Sequence, residues 1–135
     1  MSSAAQPIVQ FFDETPGRER QPAFQLRLAS EKVTVRELIR RRIEAEVADY
    51  NAQSKLPFRG LVQPTDTEHT LNGYRFEKAR AVDSEAQVHA ALEAFERNGF
   101  FVLLDDRQLE SLDEEVVLGE QNEVSFLKLV PLVGG

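Results

Sequence analysis

The residues with the most specific chemistry stand together in the run Val130-Pro131-Leu132-Val133-Gly134-Gly135. Adjacent glycines stabilise neither helix nor strand, but they let a backbone carboxylate enter a narrow site where any Cβ would clash. The reactive group is then the carboxylate of Gly135. An ATP-dependent enzyme would adenylate it, leaving a carbonyl electrophilic toward a sulfur, amine or hydroxyl nucleophile. Val130, Leu132 and Val133 ahead of the glycines form an apolar stretch that a docking partner would cover. On this reading the chain is the substrate, and the catalytic groups belong to the partner.

No other constellation of that kind occurs. The chain has no cysteine, hence no disulfide, thiolate nucleophile or thiolate metal site. His69 and His89 are far apart in sequence and fit no ligand spacing, so neither a metal nor a bound cofactor is expected. Asp105-Asp106 resembles an acid/base pair, but aspartate favours turns and a turn is expected there. Arg40-Arg41-Arg42 is expected to be a solvated helix face, offset by Glu37, Glu44 and Glu46 at helical spacing. With no glycine-rich phosphate loop and no Ser/His/Asp set, an enzyme is not expected.

Charge and hydropathy exclude further classes. The chain carries 23 acidic and 16 basic residues, a net charge of −7, which argues against a non-specific nucleic-acid binder. The acidity is local: residues 105–123 hold eight acidic groups against Arg107 alone, a surface that a basic groove on an activating partner would attract. Met1–Gln6 lacks the basic and apolar regions of a signal peptide. The longest apolar run, Phe100–Leu104, has five residues, far short of a membrane span. A cytoplasmic protein without membrane partners is expected.

The elements that must position the tail follow from periodicity. The 135 residues suit one domain: a flexible tail at 1–6, a domain at 7–130 with an insertion at about 54–99, and an extended tail at 131–135. Pro7–Glu14 reads as a strand. Thr15-Pro16-Gly17 is a turn, and Ala23–Ala29 alternates as a half-buried strand, so the two form a hairpin. Thr34 with Glu37 reads as a capping box opening a helix at 35–52, whose apolar face is Val35, Leu38, Ile39, Ile43 and Val47. Asn72-Gly73 marks a second hairpin with arms at His69–Leu71 and Tyr74–Phe76. A second helix starts at Asp83 or Ser84 and stops at Asn98-Gly99. Gly99–Leu104 is a buried strand, Arg107–Glu110 its short return, 111–123 irregular, and Val124–Val130 the last strand, ended by Pro131. The sum is an α+β chain whose first and last strands are both apolar and therefore central. If adjacent they run parallel with the hairpins flanking them, which is a β-grasp arrangement. The helix at 35–52 is expected to pack across the sheet in preference to the one at 84–98.

Phe101–Gly135 resembles the C-terminal half of ubiquitin. The shared pattern is the apolar strand Val102-Leu103-Leu104, a two-residue turn, a basic residue and Gln108-Leu109-Glu110, then an acidic stretch, a last strand and Gly134-Gly135. Glu123-Val124-Ser125-Phe126 ahead of the glycines is also similar to the sulfur carriers of the molybdopterin and thiamine pathways. The first hairpin and the helix start at Thr34-Val35 resemble the N-terminal half of both, so the likeness covers 7–53 and 100–135. It implies a bacterial ubiquitin-like modifier served by an E1-like adenylating enzyme, an E2-like enzyme and a JAB-type protease, and transferred to a target protein. It also implies docking through the 130–133 stretch and through Leu103 and Leu129, which occupy the place of ubiquitin's apolar patch; an ordinary core role is the alternative for both. The departures are the insertion, an apolar tail in place of an arginine-rich one, and few lysines (Lys32, Lys55, Lys78 and Lys128), which leaves little for lysine-linked polymers. A sulfur carrier bearing a C-terminal thiocarboxylate and a non-conjugated interaction module are the alternative functions.

Overall fold

In the computed structural model the described residues are 6–53, 60–62, 67–70, 73–76 and 82–129. The first hairpin forms as its pattern requires. β1 (Ile8–Glu14) pairs antiparallel with β2 (Gln21–Arg27), and the turn between them uses Gly17 at φ 82° with the Arg18 N–H donating to the Thr15 carbonyl at 3.1 Å. Proline before a glycine in the left-handed region is the composition such a turn demands. β2 begins two residues earlier than its alternation suggests, because Phe12 and Asp13 extend the pairing to Pro22 and Gln21 across a bulge.

β3 (Lys32–Thr34) leads directly into α1 (Val35–Gln53). Thr34 Oγ1 accepts the Glu37 N–H at 3.1 Å, the expected cap. The Val35 and Arg36 N–H groups go instead to the carbonyls of Glu114 and Leu112. The helix start is therefore sewn to a segment expected to be irregular. That segment contains β8 (Glu115–Val117), which pairs with β3 and was too short to show a period.

Past α1 the short hairpin of β4 (Thr67–Thr70) and β5 (Gly73–Phe76) pairs Thr70 with Gly73. The expected turn position Asn72 lies outside the described residues, and Gly73 itself opens β5. α2 (Ser84–Glu96) is capped by Asp83, whose Oδ1 accepts the Glu85 N–H at 3.2 Å. Its stop is carried by Asn98 at φ 63°. Gly99 serves through size: a Cβ there would lie 3.1 Å from the Ala94 carbonyl oxygen.

β6 (Phe101–Leu104), a turn at Asp105-Asp106 with positive φ at both residues, and β7 (Arg107–Leu109) form the second sheet hairpin. β9 (Gln121–Leu127) closes the fold. It starts three residues before the expected Val124 and ends three before Val130, so Pro131 does not terminate it. The partner decides: β1 spans Ile8–Glu14 and pairs Ile8 with Gln121 through Glu14 with Leu127.

The five-stranded sheet has the order β2-β1-β9-β6-β7, with β1 and β9 parallel and every other neighbour antiparallel. Its inner face carries Val9, Phe11, Val102, Leu104, Leu109, Val124 and Phe126, all buried in one core with Val35, Leu38, Ile39, Ile43 and Val47 of α1. α2 adds Val88, Ala91 and Phe95 to the same core and packs on α1. At the centre, Phe126 meets Phe11 edge-on at 5.5 Å and Phe100 at 6.1 Å. Truncating Phe126 removes the ring that joins sheet and helix layers, and Phe126→Ala is expected to lower unfolding free energy by about 3–5 kcal/mol in urea titration. Leu103→Ala, on the opposite sheet face, is expected to cost about 1 kcal/mol or less.

Candidate functional site

The outer sheet face holds Leu103, one of the two described residues of the expected docking set. Strand register aligns Pro22, Phe12, Ser125, Leu103 and Gln108 in one row, and Leu127 with Phe101 in the next. Phe12, Phe101, Leu103 and Leu127 are each partly exposed, while Ser125 between them is only 5% exposed. Arg20 lies 3.6 Å from the centre of the Phe12 ring and pairs with Glu123 at 3.0 Å, flanking the apolar rows with a cation–π contact.

Leu103 is thus a residue of the outer face, with Val102 and Leu104 supplying the core on either side of it. Leu129 is 50% exposed, two residues beyond the end of β9. The sheet does not set these two opposite one another: Leu103 faces Ser125, four residues before Leu129. The apolar strip instead runs from Leu103 through the Phe101–Leu127 pair toward the point where the chain leaves the sheet. Val130, Pro131, Leu132, Val133, Gly134 and Gly135 lie outside the described residues.

The inner face contains a charged cluster that pattern reading missed. Arg42, expected on a solvated helix face, is 2% exposed. It follows Leu38 by four and Ile39 by three, so it falls on the apolar stripe. Its guanidinium grips Asp13 through two hydrogen bonds of 2.6 and 3.1 Å and donates Nε to Glu46 at 2.5 Å. The same guanidinium stands 4.9 Å from the Phe126 ring and 5.7 Å from Phe24. Asp13 reaches it because β1 alternation turns Val9, Phe11 and Asp13 inward. Glu46 also accepts the Leu61 N–H at 3.0 Å, and its other oxygen, Oε1, is buried without a partner. The available signal was Glu46 four residues after Arg42, both inside a run of buried positions. Arg40 and Arg41 do lie at the surface. Arg40 bridges to Glu85 of α2 at 2.6 Å, which holds that exposed carboxyl below its usual range, and both arginines approach Glu44 at 3.6 Å.

Charge counting explains how this cluster titrates. One cation, Arg42, serves two carboxylates, Asp13 and Glu46. Asp13 retains 45% exposure, whereas Glu46 has none. Burial therefore pushes Glu46 up to about 7 against the pull of Arg42 and the Leu61 amide, with Asp13 adding repulsion. A carboxyl raised in the folded state favours folding where it holds its proton. That stability is full below the unfolded value of 4.5 and falls as pH rises through about 7.

Asp105-Asp106 is a turn, as expected, and Asp105 Oδ1 accepts the Glu123 N–H at 3.2 Å, fixing the hairpin to β9. His89 is an exposed neighbour of Glu93, and His69 falls in β4. Among the described residues no group of three or more His, Cys, Asp or Glu could hold a metal ion. Among them, too, no helix is long and apolar enough to cross a membrane. No protein-family model, no curated protein and no solved structure matches the chain.

The cluster predicts a pH profile. Thermal stability of the wild-type chain is expected to decline as pH rises from 4.5 to about 7, and Glu46→Gln to flatten that decline. Arg42→Ala leaves the buried carboxylate uncompensated and is expected to lower stability by about 3–5 kcal/mol at the upper end of the range. A calorimetric pH series on the three proteins checks both signs.

Proposed function

We propose that the chain is a ubiquitin-like modifier with a β-grasp fold. Its Gly135 carboxylate is adenylated by an E1-like enzyme at the expense of ATP and transferred to a nucleophile on a target protein. The observation that carries this reading is the sheet order β2-β1-β9-β6-β7. Its parallel central pair β1/β9 and the α1 residues in the inner-face core match the arrangement inferred from the first and last strands. Central strand β9 is also the element from which the chain passes to Leu129 and on to the 130–135 run. The tail would emerge beside the partly exposed Phe101, Leu103 and Leu127, and an activating partner would hold strip and tail together. Each of Leu132 and Val133 would contribute roughly 1.5–3 kcal/mol if fully buried there. An E2-like enzyme and a JAB-type protease are the further partners the reading implies.

The reading requires Gly135 to bear a free carboxylate, directly or after removal of whatever follows it. Transfer leaves a defined mark. Trypsin cutting after Lys128 would leave Leu-Val-Pro-Leu-Val-Gly-Gly as a branch on modified residues. Mass spectrometry of cells that produce the chain with an active adenylating partner is expected to find that branch, and deletion of Gly134-Gly135 to abolish it. Complete absence of the branch with the partner active would overturn conjugation. A gain in intact mass equal to sulfur replacing oxygen would identify a thiocarboxylate carrier instead.

A further inference from the structure

A cavity of about 310 Å³ between the end of β2, β3 and the first turns of α1 is lined by charged residues, two of whose cations have no carboxylate partner among the described residues. Leu28 and Val33 form its buried lining, and Arg27, Lys32, Arg41 and Glu37 bring charge to it. Elsewhere Arg20, Arg36, Arg40, Arg42 and Arg107 each hold a carboxylate at 3.2 Å or less. Arg27 and Lys32 form no ion pair among the described residues. Arg41 has only Glu44 at 3.6 Å, a carboxylate it shares with Arg40. Arg18 and Arg97 likewise form no ion pair among the described residues, but Arg27 and Lys32 differ from them in lining one cavity together.

Cations brought to one cavity repel one another, and an anion among them relieves that repulsion. Three lining cations stand against one lining carboxylate, Glu37, and Arg41 is further offset by Glu44 outside the lining, so the cavity carries between one and two net positive charges. A phosphate monoester at neutral pH carries roughly −1.5 to −2, opposite in sign to that excess. The forked guanidiniums of Arg27 and Arg41 suit two phosphate oxygens each, and Lys32 supplies a compact point charge. Ser30, which also lines the space, adds a hydroxyl donor. The volume lies at the lower end of the ~300–1,000 Å³ range of ligand sites, enough for a phosphoryl head group and a short stem. We propose that this cavity binds a phosphate monoester, carried either by a small molecule or by a phosphorylated side chain of a partner protein. The site stands apart from the outer sheet strip and does not rest on the modifier reading.

The test is an amide chemical-shift titration of the full chain with inorganic phosphate, with free phosphoserine and with a short phosphoserine peptide. Saturable shifts are expected in the 27–33 segment and at Arg41. Substituting Arg27→Gln together with Lys32→Gln is expected to weaken binding about tenfold or more. Both side chains are exposed, so the variant should keep the wild-type spectrum elsewhere. Arg18→Gln, away from the cavity, is expected to leave binding unchanged. Tighter binding of the peptide than of phosphoserine would assign the site to a modified partner; equal binding would assign it to free phosphate esters. No saturable shift with any of the three ligands, or undiminished binding in the double variant, would overturn the proposal.

Discussion

The fold depends on one pairing, the parallel ladder between its first and last strands. Parallel neighbours cannot be joined by a tight turn, so the whole chain between Glu14 and Gln121 acts as the crossover. Asn122, 7% exposed, fixes the register: its amide donates to the Ile8 and Gly119 carbonyls at 3.0 Å each, and its oxygen accepts the Gly119 N–H at 2.9 Å. The ladder continues at both ends, through the Ile8 N–H to Glu120 and the Lys128 N–H to Glu14. A one-residue slip would exchange the inner and outer faces of β9. Phe126 would then leave the core, and Ser125 would replace it between Phe11 and Phe100. Because this pairing closes the longest loop in the molecule, its contacts are rewarded late in folding.

A second constraint ties the helices and the segment around Leu61 to that sheet. Arg42 reaches from α1 to β1, and Glu46 reaches from α1 to Leu61, itself 4% exposed. Two further side chains pin the same region. Asn51 clasps the Val82 backbone with bonds of 2.8 and 3.1 Å, and buried Gln87 of α2 donates to the Val62 carbonyl at 2.8 Å. The excursion between Val62 and Val82 thus departs from and returns to anchored points. An apolar substitute for the charged cluster could match its stability, because desolvation offsets much of the attraction between buried charges. What apolar side chains lack is direction. A bidentate arginine accepts one orientation of β1 relative to α1, and the Glu46–Leu61 bond accepts one placement of Leu61 against α1.

Legibility divided along the same line. β1, β2, both helices and the β6–β7 hairpin were readable because each carries its own period or its own turn chemistry, as at Thr15-Pro16-Gly17 and Asn98-Gly99. That the terminal strands are central followed from their both being apolar, and their parallel direction followed once they are adjacent, which the β1–β9 register supplies. What was not readable depends on partners distant in sequence. β3 and β8 are three residues each and exist through one another and the α1 start. The bounds of β9 are those of β1. The polar Asn122 at an inward position concealed the beginning of the last strand. Arg42 was misplaced because a run of three arginines looks solvated, although the helical angle puts only Arg40 and Arg41 at the surface. Of the expected docking residues, strand alternation makes Leu103 an outer-face position once its neighbours are known to be core.

The distribution of charge changes when partners are seen. Composition assigns eight acidic groups to residues 105–123. Three of them, Asp113, Glu114 and Glu123, are already paired with Arg36, Arg107 and Arg20. Eight less three leaves Asp105, Asp106, Glu110, Glu115 and Glu120, and Asp105 is engaged with the β9 backbone. The acidic field beside the last strand is therefore thinner than a count suggests, and surface pairs of this kind add little stability of their own. The basic side shows the reverse. Six described arginines hold a carboxylate at 3.6 Å or less, and of the cations without one, Arg27 and Lys32 line a single cavity near the start of α1. An overall charge of −7 consequently describes neither surface. The outer sheet face is an apolar strip edged by the Arg20–Glu123 pair, while on the α1 side Arg27 and Lys32 stand without a carboxylate among the described residues.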